Sequence, residues 1–207
     1  MGSMLDALLL PRTYYRSLSV NKRTFFYSIC AVGIILVGYP FLFENYRSIF
    51  VGKSPLNTLF NTVLTIVLIF VLGFSDIMIF CLPVTDLFRY ISRKIGGGKD
   101  NLLFIKFIKI YTIAALIINP VYIFIMNTIF GDISNTQNVT KIYIYVITAY
   151  LIQIWAYGIL CRGLCCLLKF KGMQKVMVFI VIFSWSQIWG YVYQYVFHNI
   201  IVNFYIK

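Results

Sequence analysis

The feature that most constrains this chain is a set of long apolar runs from which charge has been withdrawn. Phe25 to Phe43 is 19 residues without a charged side chain, preceded by Lys22-Arg23 and followed by Glu44. At 1.5 Å per residue, such a run just crosses a hydrocarbon core of about 30 Å as an α-helix. Four more apolar runs follow, over about 55–84, 104–130, 142–168 and 176–204, whose charged residues are Asp76, Lys106, Lys109 and Arg162. The sequence therefore predicts an all-α polytopic membrane bundle. It has a cytoplasmic amphipathic segment over 1–24, within which 1–3 read as an expression scar, and five transmembrane helices over 25–204. Ser54 and Pro55 supply an N-cap and a first-turn proline for the second helix, and Pro83 is expected to mark its other end. Asn119-Pro120 predicts a kink in the third.

Composition excludes the soluble alternatives. Hydrophobic residues make up 61% and charged residues 12% of the 207, too little charge to solvate a globule of this length. A net charge of +12 would suit nucleic acid only if it formed a solvent-facing surface, but the basic residues stand between apolar runs. Anionic lipid headgroups are the expected partner, and nucleic acid is not. Cys30, Cys81, Cys161, Cys165 and Cys166 lie within or beside apolar runs, which argues against a secreted disulfide framework. No cleavable signal peptide is recognisable at the N-terminus.

Orientation follows from the lysines and arginines, which favour cytoplasmic loops. The N-terminus, the second-to-third connection and the fourth-to-fifth connection hold 14 of them, against 4 on the opposite side: Arg47, Lys53, Lys141 and Lys207. Five crossings with the N-terminus cytoplasmic and the C-terminus outside are expected, in a prokaryotic cytoplasmic membrane. Two cytoplasmic stretches, Pro11 to Val20 and Thr85 to Ile95, interleave apolar residues with Arg12, Arg16, Arg89, Arg93 and Lys94. Each suits a short amphipathic helix in the headgroup plane, with Gly96-Gly97-Gly98 ending the second and Lys99 beyond it. This face is the candidate for lipid or protein docking; ordinary positive-inside anchoring explains the same residues and is the simpler account. Asn138-Val139-Thr140 has the form of a glycosylation sequon, for which chance is the better explanation.

The inventory for catalysis is thin: six acids, one histidine, and no nucleophile elbow, phosphate loop or zinc motif. No enzyme activity, cofactor or metal is expected. Cys161 and Cys165 share a helix face, read as packing with acylation as the alternative. Asp76 stands out. An aspartate deep in a span costs about 2.5–3.5 kcal/mol, so it should face the bundle or a wet cavity. Asn61 and Thr65 fall within about 60° of it around the helix. The fifth run carries a polar stripe of Gln187, Tyr191, Gln194 and His198, and the fourth carries Tyr150, Gln153, Tyr157 and Cys161. These faces are expected to meet, and Asp76, Asn119, Gln153 and Gln187 then surround one buried site, as a transport cavity would. The competing account is that Asn and Gln only bond helix to helix at about 0.6–2 kcal/mol each.

From Asp86-Leu87-Phe88-Arg89-Tyr90-Ile91-Ser92-Arg93-Lys94-Ile95-Gly96-Gly97-Gly98-Lys99, and then Phe107 to Asn119-Pro120, the chain resembles the Yip1 family. Bacterial members similarly have an amphipathic stretch with an arginine, a Gly-Gly-Lys, a basic helix start and a mid-span proline. Leu9-Leu10-Pro11-Arg12-Thr13-Tyr14-Tyr15-Arg16 looks like their proline-bearing N-terminal helix. The resemblance implies a five-span fold and, in eukaryotic members, vesicle traffic with Rab-type GTPases, carried by a long cytosolic region. Here about 24 residues precede the first run, which points to a prokaryotic-type relative. The expected role is non-enzymatic: organising membrane or partner proteins through the basic cytoplasmic face. The alternative is a small-solute, ion or lipid transporter built around Asp76. The oligomeric state is not legible.

Overall fold

The computed structural model describes residues 4–19, 21–39, 54–94, 101–131, 138–196 and 199. Its main elements are α1 (Met4–Leu9), α2 (Arg12–Arg16), α3 (Lys22–Tyr39), α4 (Pro55–Lys94), α5 (Leu103–Phe130), α6 (Val139–Leu168) and α7 (Met173–Val196). No strand occurs among the described residues. Four helices, α4 to α7, are long and apolar enough to cross a membrane. The described part of α3 is 18 residues with two cations at its start, and 40–43 of the expected first span lie outside the described residues. The expected fifth span is described as helix to Val196.

Apolar side chains cover the outside as well as the core. Leu56, Phe60, Val63, Val67, Phe70 and Phe74 are all more than two-fifths exposed along α4, a continuous apolar face that water would not tolerate and lipid would. The core runs through the bundle, from Val32 of α3 through Ile77, Phe80 and Phe88 of α4 to Phe107 and Ile110 of α5, Ile159 and Leu164 of α6, and Ile182 of α7. α3 packs on α4 and α5, α5 on α6, α6 on α7, and α7 returns to the second half of α4. Polar side chains that leave α4, α5, α6 and α7 inward therefore converge.

The closest helix contact is between α3 and α4. A Cβ on Gly33 would collide with the Ile69 carbonyl, and one on Gly73 with the Ile29 carbonyl. Glycine at both places lets the backbones touch, as small residues do at membrane helix crossings.

Ends are capped as the sequence predicts for α4, where the Ser54 hydroxyl accepts from the Asn57 amide at 3.4 Å. At α6 the sequon asparagine has a structural task, its Oδ1 accepting from the Lys141 amide at 3.2 Å. Lys169 closes α6 in the left-handed region at φ 56°, with a cation at the negative end of the helix dipole.

The expectation that Pro83 ends the second span is overturned. α4 continues through it to Lys94, as α-helix over Pro55–Asp76, π-helix over Ile77–Cys81 and α-helix again over Leu82–Lys94. Proline lacks an N–H, so the carbonyl four residues earlier, Ile79, loses its helical donor. Trp185 of α7 replaces that donor, its indole N–H bonding the Ile79 oxygen at 3.1 Å. Residues 85–94 are accordingly the tail of α4 and not a separate surface helix, and Ile95 lies outside the described residues. Val84, Thr85, Phe88 and Ser92 are buried in the bundle. Gly96 to Gly98 and Lys99 lie outside the described residues. α5 likewise runs through Pro120 before a π-helical turn at Met126–Phe130.

The 11–20 stretch also departs from a free amphipathic helix. α2 is five residues long, and its Tyr15 is fully buried against protein. The Tyr15 hydroxyl donates to the carbonyls of Leu9 at 2.6 Å and Ile159 at 3.3 Å, and Trp155 donates to Leu8 at 2.6 Å. Asp6 pairs with Arg162. α1 and α2 are thus seated on α6 at the end of the bundle where the α6–α7 connection also lies.

Candidate functional site

Asp76 is the last residue of the first α-helical part of α4, directly before the π-helical stretch, and is 3% exposed. A π-helical turn inserts a residue and rotates the earlier part of a helix relative to the later part, a feature frequent at functional sites. The carboxylate meets two donors. The Tyr111 hydroxyl of α5 donates to Oδ2 at 2.6 Å, and the Trp189 indole N–H of α7 donates to Oδ1 at 2.6 Å. Both donors are neutral. A carboxylate offers about four acceptor positions, so two remain for a further donor. The two contacts also differ: an indole N–H only donates, whereas a phenol can donate or accept, so the Tyr111 side is the one on which the carboxyl can carry a proton.

Beside Asp76 lies a cavity of about 350 Å³ formed by α4, α5, α6 and α7, with Leu36 of α3 at its edge. Six aromatic side chains stand in its wall, Phe80, Tyr111, Tyr122, Tyr157, Trp189 and Tyr193, among aliphatic and small residues. Phe80 stacks on Tyr111 with ring centres 4.8 Å apart, which orients the phenol toward the acid. Asn119 and Gln153 also line it, as the sequence predicts. Asn119 spends its amide N–H on its own helix, at the Ala115 carbonyl 2.9 Å away, so it is not bonded helix to helix through that donor.

Gln187 is placed one step away. Its amide N–H contacts Gln153 Oε1 at 3.4 Å and the Tyr157 hydroxyl at 3.3 Å, which joins α6 to α7 as the helix-bonding account expects. It lines an adjoining cleft of about 610 Å³ with Tyr150, Tyr191 and Gln194, while Gln153, Tyr157, Ser186 and Gly190 border both spaces. The two polar stripes therefore do face each other. Tyr191 is 76% exposed and stands at the outer edge, however, and His198 lies outside the described residues. Cys161 belongs to the opposite end of α6, with its sulfur 3.9 Å from that of Cys165. No group of three or more metal-ligating side chains occurs among the described residues.

Tyr111, Trp189 and Tyr193 line the site but belong to none of the polar stripes read from the sequence. The signal was present: Tyr111, Ala115, Asn119 and Tyr122 step by four, four and three along one face of α5.

The basic residues divide. Arg12 and Arg16 line a cavity with the α6–α7 connection. Arg89 pairs with Asp86 at 3.0 Å, Arg93 is exposed, and Lys94 lies 4.9 Å over the Tyr90 ring, all on the tail of α4. Lys99 lies outside the described residues. No protein-family model, curated protein or solved structure matches the chain.

Proposed function

We propose that the chain is a non-enzymatic membrane protein of five crossings that binds a small organic cation beside Asp76, as a carrier would. The carrying observation is a carboxylate with spare acceptor capacity, bonded among the described residues only to neutral donors, in a cavity with six aromatic side chains in its wall. An ammonium group gains from the acid and from the ring faces together, the latter worth about 2 kcal/mol when desolvated. A volume of about 350 Å³ suits a solute of modest size. The N-terminus is cytoplasmic and the C-terminus outside in this reading, which the gathering of Arg12, Arg16 and the α6–α7 lysines at one end supports. Cysteine labelling from each side of the membrane tests it, and labelling both termini from the same side would discard it.

The test of binding uses phenethylammonium and its neutral isostere phenylethanol with protein in phosphatidylcholine nanodiscs, followed by tryptophan fluorescence. The wild type should prefer the cation by at least about tenfold. Asp76→Asn should erase the preference while preserving the fold, because an amide can still accept from Trp189 and donate to the Tyr111 oxygen. No preference in the wild type, or one that survives Asp76→Asn, removes the proposal.

The second reading is the organising role that the Yip1 resemblance implies, with lipid or a protein partner at the cytoplasmic face. It is favoured by the clustering of basic residues at one end of the bundle.

A further inference from the structure

Six cations that are scattered in sequence meet around one cavity of about 570 Å³: Arg12 and Arg16 from α2, Arg162 and Lys169 from the end of α6, and Lys171 and Lys175 from the connection and start of α7. Among the described residues no acid lines it, and Asp6 offsets one charge by pairing with Arg162. Folding like charges together is unfavourable unless something anionic shares the space. The same cavity is not wholly polar. Leu9 and Phe179 form an apolar part of its wall, Phe179 stacking on Phe183 further along the membrane-crossing stretch of α7 at 6.2 Å. Gly158 lines it from α6 without a side chain to fill it.

We propose that this cavity binds the phosphate group of an amphiphile, with the phosphate among the six cations and the start of its hydrocarbon chain against Leu9 and Phe179. The surplus of positive charge selects the headgroup. A phosphodiester brings one negative charge, whereas a phosphate monoester brings nearly two and a diphosphate more, each with oxygens for charge-assisted hydrogen bonds. A monoester or diphosphate lipid therefore fits better than an ordinary phosphodiester lipid. The site is separate from the Asp76 cavity and stands or falls without it.

The experiment is native mass spectrometry of the full chain released from phosphatidylcholine nanodiscs doped with equal amounts of phosphatidate and phosphatidylglycerol. Phosphatidate should be the retained lipid. Lys171→Gln with Lys175→Gln, both exposed, should lower its retention by at least about tenfold. Arg93→Gln with Lys94→Gln removes the same charge from the tail of α4 and should change retention by less than about twofold. Equal loss in the two pairs would reduce the effect to diffuse attraction and overturn the site. Equal retention of the two lipids would overturn the headgroup assignment. Soluble pyrophosphate at matched concentration should fail to displace phosphatidate; displacement would show that a free anion suffices and would overturn the amphiphile.

Discussion

Trp185 donates to the carbonyl of Ile79, the acceptor that Pro83 deprives of its helical partner, and Trp189, one turn further along α7, donates to Asp76. One helix edge thus repairs a broken backbone ladder and holds the buried acid. The two contacts fix the register of α7 against α4, and with it the position of the cavity wall.

Removing the repair should cost stability unless the break is removed too. Trp185→Phe leaves the Ile79 oxygen without its donor and should destabilise by about 1–3 kcal/mol. In a Pro83→Ala background, residue 83 regains an N–H and the same change should cost much less. Thermal unfolding in detergent across this double-mutant cycle measures the difference.

The hold on the acid should be non-additive in the same way. Trp189→Phe withdraws a donor from a buried carboxylate and should cost about 1.5–3 kcal/mol, but far less when Asp76 is already leucine. Equal losses in the two backgrounds would mean that the indole N–H contributes nothing through Asp76.

Gly73→Ala and Gly33→Ala should each weaken the α3–α4 contact by about 1–3 kcal/mol, since the new methyl meets a backbone carbonyl that cannot rotate away. Gly190→Ala has open space around its new methyl and should be neutral or slightly stabilising. Denaturation of the three variants gives the ranking.

Alkaline pH should loosen the N-terminal helices. Burial raises the Tyr15 phenol well above its ordinary value near 10. The unfolded phenol therefore ionises first, so the stability Tyr15 provides is complete below about pH 10 and falls as pH rises toward the folded value. Tyr15→Phe should cost about 1 kcal/mol at neutral pH, through the lost bonds to Leu9 and Ile159, and should blunt the alkaline decline. Limited proteolysis of α1 and α2 as a function of pH reads both effects.

The boundaries of α5 and α6 were legible because lysines, glycine and asparagine punctuate otherwise apolar runs, and Asp76, Asn119 and Gln153 were legible because polar groups in such runs must face inward. Pro83 misled because the donor that lets a helix pass it comes from a tryptophan 106 residues beyond the Ile79 carbonyl it serves, which no local rule includes. Tyr111 and Trp189 were missed for the same reason. Their apolar bodies suit a lipid interface, and only the fold reveals that their polar tips meet one carboxylate. The basic residues of 11–20 and 85–95 were read as equivalent, but Tyr15 binds the first group to α6 while the second is the end of α4.

The seat of the N-terminal helices has a consequence for synthesis. Tyr15 bonds the carbonyl of Ile159, 144 residues later in the chain. At the usual pace of a ribosome, roughly 5–20 residues per second, α1 and α2 wait about 7–30 s for the helix that receives them. Throughout that interval Leu9, Tyr15 and the flanking arginines are without their final partner on α6. A chain that stops before α6 leaves this segment unseated, so its docking reports that α6 has been made.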